Sequence, residues 1–145
     1  MDRAEYLAEL DSVLDRHTDA AAQRLSSMLA MCPPAATELV IDVFPDQDGE
    51  GTFDVWARFD GPDSIALNAP VDAHRHLFGV VHTEDGVEPD VPPPGRGFCV
   101  QDAVVDACAT WLTDLWERVG AGRSPIPWHV AGHDGYGTVT PMQFG

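Results

Sequence analysis

Along the first thirty residues Leu7, Leu10, Leu14, Ala21, Leu25 and Met28 recur at steps of three, four or seven. Such a stripe predicts one long helix from residue 3 to about 31, stopped where Pro33 and Pro34 follow Cys32. His17 falls on the stripe and is expected to be a packed or interface histidine rather than a ligand. From residue 37 the period changes to two. TELVIDVF puts Leu39, Ile41 and Val43 on one face, and GTFDVWARF puts Phe53, Val55, Ala57 and Phe59 on one face with Trp56 on the other. This is the pattern of an antiparallel pair joined by the polar loop PDQDGEG. After the turn DGPDS, SIALN reads as a short strand, and HLFGVVHT, EDG and VEPDV as a further hairpin, giving a meander of four or five strands. PDVPPPGRG then predicts a polyproline-like crossing. A second helix is expected over 101 to 119: Val104, Cys108, Trp111, Leu115 and Val119 form a face that would cover the sheet, Asp102, Asp106, Thr113 and Glu117 line another, and Gly120 ends it. The tail WHVAGHDGYGTVTPMQF alternates weakly, as two short terminal strands would. The expected class is α+β, in a single domain over residues 1–145.

Composition agrees with one core, since 145 residues with 44% hydrophobic content match an ordinary domain. No apolar run approaches the roughly 20 residues of a membrane span, and the start MDRAEYLAEL is acidic and amphipathic, so a cytoplasmic protein is expected. Charge changes the picture more. Against 24 acids stand eight bases, all arginine, for a formal net charge of −16. A surface this negative repels nucleic acid and anionic lipid and attracts a basic protein over distances near the Debye length of about 8 Å. A GC-rich genome or a salt-adapted cytoplasm would also produce such a composition.

Three groups of residues and one lone tryptophan are the candidates for partner contact. Asp11, Asp15 and Asp19 recur every four residues on the outer face of the first helix, and Asp46, Asp48 and Glu50 alternate in the hairpin loop. Trp116 lies at the edge of the second helix's stripe, where it either completes the core or anchors a partner. Trp128, Asp134 and Tyr136 lie within PWHVAGHDGYG, where Asp134-Gly135 is a turn signal because both residues tolerate positive φ.

Catalytic chemistry finds less support. The sequence has no G-x-S-x-G, no phosphate-binding glycine loop and no lysine. No catalytic residue, metal ligand or cofactor is assigned. The metal alternative rests on His74 and His76, which on one strand would lie roughly 7 Å apart and need His129, His133 or Asp134 to complete a site. His129 and His133 would be roughly 13 Å apart in an extended chain, and the surrounding Pro and Gly argue against the helix that would join them. The cysteines Cys32, Cys99 and Cys108 are odd in number without a C-x-x-C pair, so free buried thiols are expected, Cys108 as a core residue.

The order of long helix, antiparallel meander, second helix and terminal strands in a small acidic chain resembles the immunity proteins of bacterial polymorphic toxin systems. The ending GHDGYGTVTP is similar to uncharacterised actinobacterial families of this kind. The resemblance implies a stoichiometric inhibitor, monomer or homodimer, that binds a cognate, basic toxin domain without turnover. An acidic secretion-type chaperone or adaptor is the alternative in the same binding class, and a metal-dependent enzyme using His74 and His76 is the third.

Overall fold

The computed structural model describes all 145 residues. Helices α1 (Arg3–Asp15), α2 (Thr18–Ala30), α3 (Ser64–Asn68) and α4 (Val100–Leu115) combine with strands β1 (Glu38–Pro45), β2 (Phe53–Asp60), β3 (His76–Gly79), β4 (Val81–Thr83), β5 (Gly86–Glu88), β6 (Trp128–Gly132) and β7 (Met142–Phe144). The class is α+β. No helix is long and apolar enough to cross a membrane.

The main sheet has the order β3-β2-β1-β6-β7 and is mixed. β1 and β2 form the expected hairpin, with Leu39 opposite Phe59 and Val43 opposite Val55. On its other edge β1 pairs in parallel with β6, Leu39 beside Trp128 and Ile41 beside Val130, so the tail returns to the centre of the sheet. β7 turns back antiparallel on β6. The meander is therefore three strands, β3-β2-β1, while β4 and β5 form a separate two-stranded ribbon. Leu39, Ile41, Val43, Phe53, Val55, Ala57, Phe59, Trp128 and Val130 are buried on the helix side and join one core with Leu10, Leu14, Leu25, Val104, Cys108 and Leu112. α4 lies on β1 and β6, α2 on β3, and α1 against α4.

Two expected elements are corrected. The first helix is broken after Asp15, with Arg16 and His17 in a turn. No Pro or Gly causes the break. Thr18 is drawn in, accepting the indole N–H of Trp111 at 3.0 Å, and the His17 ring meets Phe78 edge-on at 5.1 Å. SIALN is a helical turn, not a strand. Asp63, at a φ of 53°, caps it by accepting from the Ala66 N–H. Asn68 at its end is buried and hydrogen-bonds both backbone groups of Phe59, accepting at 2.8 Å and donating at 3.0 Å. The chain then runs through a 3-10 turn (Ala69–His74) into β3.

The polar face of α4 holds the tail in place. The Gly137 N–H donates to Asp102 Oδ1 at 2.7 Å, and the Thr138 N–H and hydroxyl donate to the two oxygens of Asp106, each at 2.7 Å. Arg3 Nη2 donates to Asp106 Oδ2 at 3.0 Å, tying the N-terminus to the same carboxylate. Gly132 and Gly137 let the tail approach: an added Cβ at either would lie within 3 Å of Val105 on α4. Gly137 also has a φ of 105°. Replacing Asp106 by Ala removes one carboxylate and leaves four donors, the Val139 N–H at 3.3 Å included, short of a partner. We expect it to cost roughly 2–3 kcal/mol in urea unfolding, with an unchanged slope, whereas Asp114→Ala on the exposed face of the same helix stays within about 0.5 kcal/mol.

Candidate functional site

Because α1, α2 and α4 bury one side of the sheet, the alternate positions of β1 and β2 face the other way: Asp42 and Phe44 on β1, Asp54, Trp56 and Arg58 on β2. Asp42 pairs with Trp56 and Phe44 with Asp54 across the hairpin. A slip in register between Val55 and Trp56 sets Trp56 beside His76 of β3. These side chains and Arg75 line an open cavity of about 430 Å³. A second depression, about 520 Å³, shares Arg58 and Arg75 as its wall and continues toward α3, where Ile65 is 84% exposed.

The charges in this groove are largely matched. Arg58 Nε donates to Asp42 Oδ2 at 3.2 Å, and its Nη1 lies 3.8 Å from Asp60. Arg75 donates through Nε to the Ala57 carbonyl at 3.0 Å and through Nη1 to Asp72 at 3.1 Å, while its guanidinium carbon sits 5.9 Å from the centre of the Trp56 ring. A carboxylate can only accept, so the 2.8 Å contact between His76 and Asp54 fixes the proton on His76 Nε2. The His76 ring stacks on Trp56 at 4.4 Å, nearly parallel. Gly79 lies beneath this pair, and a Cβ there would stand 2.5 Å from both Asp54 Oδ1 and the His76 ring. At the far end His133 packs on Phe44 at 5.0 Å.

The residues singled out from sequence are distributed otherwise. The break after Asp15 divides the acidic column. Asp19 forms an ion pair with Arg118 at 2.8 Å. Asp11 gathers with Asp15 and, from α4, Asp114 around a small cavity of about 160 Å³. Partial burial raises the pKa of Asp11, and the charges of Asp15 and Asp114 raise it further. Asp48 and Glu50 are exposed at the hairpin tip, but Asp46 closes the loop, accepting from the Glu50 N–H at 3.1 Å and from the Thr52 N–H and hydroxyl at 3.1 and 2.7 Å. Trp128 is fully buried and presents no surface. Trp116 is half-buried, edge-on to Trp128 and stacked on Phe144. Asp134 and Gly135 form the expected turn, with φ of 56° and 80°, leaving Asp134 exposed and Tyr136 half-buried.

The histidines do not assemble as the metal alternative requires. His74 ends the 3-10 turn and His76 begins β3, so they share no strand face. His129 lies on β6 opposite Gln143, and His133 has left that strand. No group of three or more His, Cys, Asp and Glu side chains is gathered where it could hold one metal ion. Of the thiols, only Cys108 is buried, where burial raises its pKa; Cys32 is half-buried and Cys99 exposed. Tyr6, whose hydroxyl is buried without a partner, has its pKa pushed up to about 12 by burial and by the neighbouring Cys108 and Asp46.

Sequence reasoning missed the open face because its polar positions looked like solvated strand. The available signal was Trp56, a large aromatic on the polar side of β2. Asp46 provides a pH test of the adjoining loop. Partial burial opposes its ionisation, but hydrogen bonds from Thr52, Glu50 and Gly49 outweigh this and hold its pKa below the usual carboxylate range. The loop's share of stability is thus present above about pH 4 and lost as pH falls through the lowered value. Acid titration of stability should show that loss in the native chain and a shallower fall in Asp46→Asn.

No curated protein and no solved structure matches the chain. A family model does, from the first residue to the last, and its span takes in both the open sheet face and the anchored tail. Matched over residues 1–145, the chain belongs to a family of unknown function (DUF6389).

Proposed function

We propose that the chain is a non-enzymatic, acidic protein-binding domain, an immunity-type inhibitor that neutralises a basic toxin domain by direct contact. The observation that carries this reading is the surplus of unmatched acid. Only Asp19, Asp42, Asp60, Asp72 and Asp106 meet an arginine within 4 Å, so most of the 24 acids have no cationic partner in the fold. Self-repulsion of that charge is relieved when a positively charged surface approaches, which speeds encounter and raises selectivity for a basic partner. The open sheet face supports the same reading, because tryptophan and arginine are the side chains most often found at the energetic centre of protein interfaces.

Co-expression tests the proposal. The reading expects a toxin domain encoded beside the gene, and production of the two together should restore growth and yield one complex on elution; a neighbourhood without such a domain would overturn it. The association rate should fall at least about tenfold between roughly 0.05 and 0.5 M salt. Continued toxicity with no complex formed would overturn the inhibitor reading.

A further inference from the structure

The outward-facing cavity over β1 and β2 has the chemistry of a receptor for a cation. Phe44 and Trp56 supply aromatic rings, and Asp42 and Asp54 supply carboxylates on neighbouring strands. Asp42 uses Oδ2 for Arg58, and Asp54 uses Oδ1 for His76, which leaves Asp42 Oδ1 and Asp54 Oδ2 without a protein partner. Trp56 already carries one guanidinium near its ring, that of Arg75. Aromatic rings beside carboxylates attract a positive side chain twice, through the ring quadrupole and through direct ion pairing.

We propose that this cavity seats an arginine side chain of a basic partner protein, with Trp56 and Phe44 against the guanidinium and the free oxygens of Asp42 and Asp54 accepting its N–H groups. The proposal rests on the protein-binding reading above and names the place on the sheet where the partner docks. Resident cations do not block it. Arg58 is matched by Asp42 and Asp60, and Arg75 by Asp72. Within the cavity Asp42 and Asp54 balance Arg58 and Arg75, and Asp60 and Asp72, pairing with the outer sides of the same two guanidiniums, turn the surrounding face negative and complementary to a positive side chain. A second copy of this chain is a poor occupant, because it brings another sixteen negative charges to the contact. The acidic group on α1 lacks the aromatic component: Asp11 and Asp15 border a much smaller cavity whose one ring, Trp111, is buried in the core.

The preorganised parts are visible. Gly79 gives His76 and Asp54 room to pair, the pair holds the His76 ring on Trp56, and that stack fixes the indole at the mouth of the cavity. Arg75, hydrogen-bonded to the β2 backbone, fixes it from the other neighbour. A cation arriving there meets rings and oxygens that need little reordering, which favours affinity.

The test is a titration of the isotope-labelled full chain with an acetylated nine-arginine peptide at physiological salt, read by NMR. The amides of Phe44, Asp54 and Trp56 and the Trp56 indole N–H should shift most. Trp56→Leu should weaken binding about tenfold and Asp42→Asn with Asp54→Asn by a comparable factor, while Asp11→Asn with Asp15→Asn leaves it nearly unchanged. Circular dichroism and unfolding midpoints of each variant show whether it keeps the native fold. If Trp56→Leu loses the fold, the Asp42 and Asp54 pair of changes decides the matter alone. Shifts centred on α1 or spread evenly over the acidic surface would overturn the proposal, as would equal affinity in the groove variants. Concentration-dependent shifts of the same amides without peptide would assign the face to a second copy and overturn it too. The peptide contains no toxin, so failure here leaves the inhibitor reading to its own co-expression result, and failure there leaves the groove's affinity for arginine standing.

Discussion

Everything on the open face depends on β1 being paired along both edges. Its antiparallel partner β2 comes from the same hairpin, but its parallel partner β6 arrives from the far end of the chain. That parallel pairing is possible only because α4 crosses the helix side of the sheet and delivers residues 128–132 beside residues 39–43. With Leu39, Ile41 and Val43 buried under the helices, Asp42 and Phe44 have one direction left. A strand's alternation makes this obligatory, since a one-residue slip would bury Asp42 and expose Ile41.

The tail is held for a related reason. β6 and β7 are short, and a three-residue edge strand binds weakly through backbone hydrogen bonds alone. Asp102 and Asp106, one turn apart on α4, add charge-assisted hydrogen bonds to the backbone between those strands, and Arg3 shares the second carboxylate. The stretch GHDGYG then needs its glycines for steric reasons at two positions, against Val105, and for the turn at a third. What looks like a motif rich in catalytic residue types is the fit of a tail to a helix.

Elements with a strong local period were legible in the sequence. The β1–β2 hairpin, α4 and the Asp134-Gly135 turn follow from alternation, stripe and backbone tolerance. The break after Asp15 was hidden, because the apolar stripe runs on through α2 and the Trp111 indole that bonds Thr18 at the break comes from 93 residues away. SIALN alternates as a strand does, yet only Leu67 of its two large apolar residues is buried, and Asn68 decides its shape by docking on Phe59. Parallel pairing leaves no local mark at all. The groove was half legible: Trp56 stood out on the polar face of β2, but its neighbours Arg75 and His76 come from a segment whose position depends on α3. Trp128, conversely, drew notice as an aromatic near a turn and belongs to the core.

Electrostatics ties the fold to the surface. With eight arginines the chain can neutralise few of its acids, and the pairs that do form sit where geometry matters: at the tail, between α2 and the end of α4, and twice in the groove. Arg58 and Arg75 therefore act less as a positive patch than as struts that keep Asp42, Asp60 and Asp72 from repelling one another on a face with no helix to screen them. Without those struts Asp42, Asp54 and Asp60 on the two strands and Asp72 beside them would gather around Trp56 with no guanidinium among them, an arrangement that like charges resist. With them the residual charge is small enough for the sheet to tolerate and is negative in sign. A surface in that state is stable alone and still gains from meeting a cation.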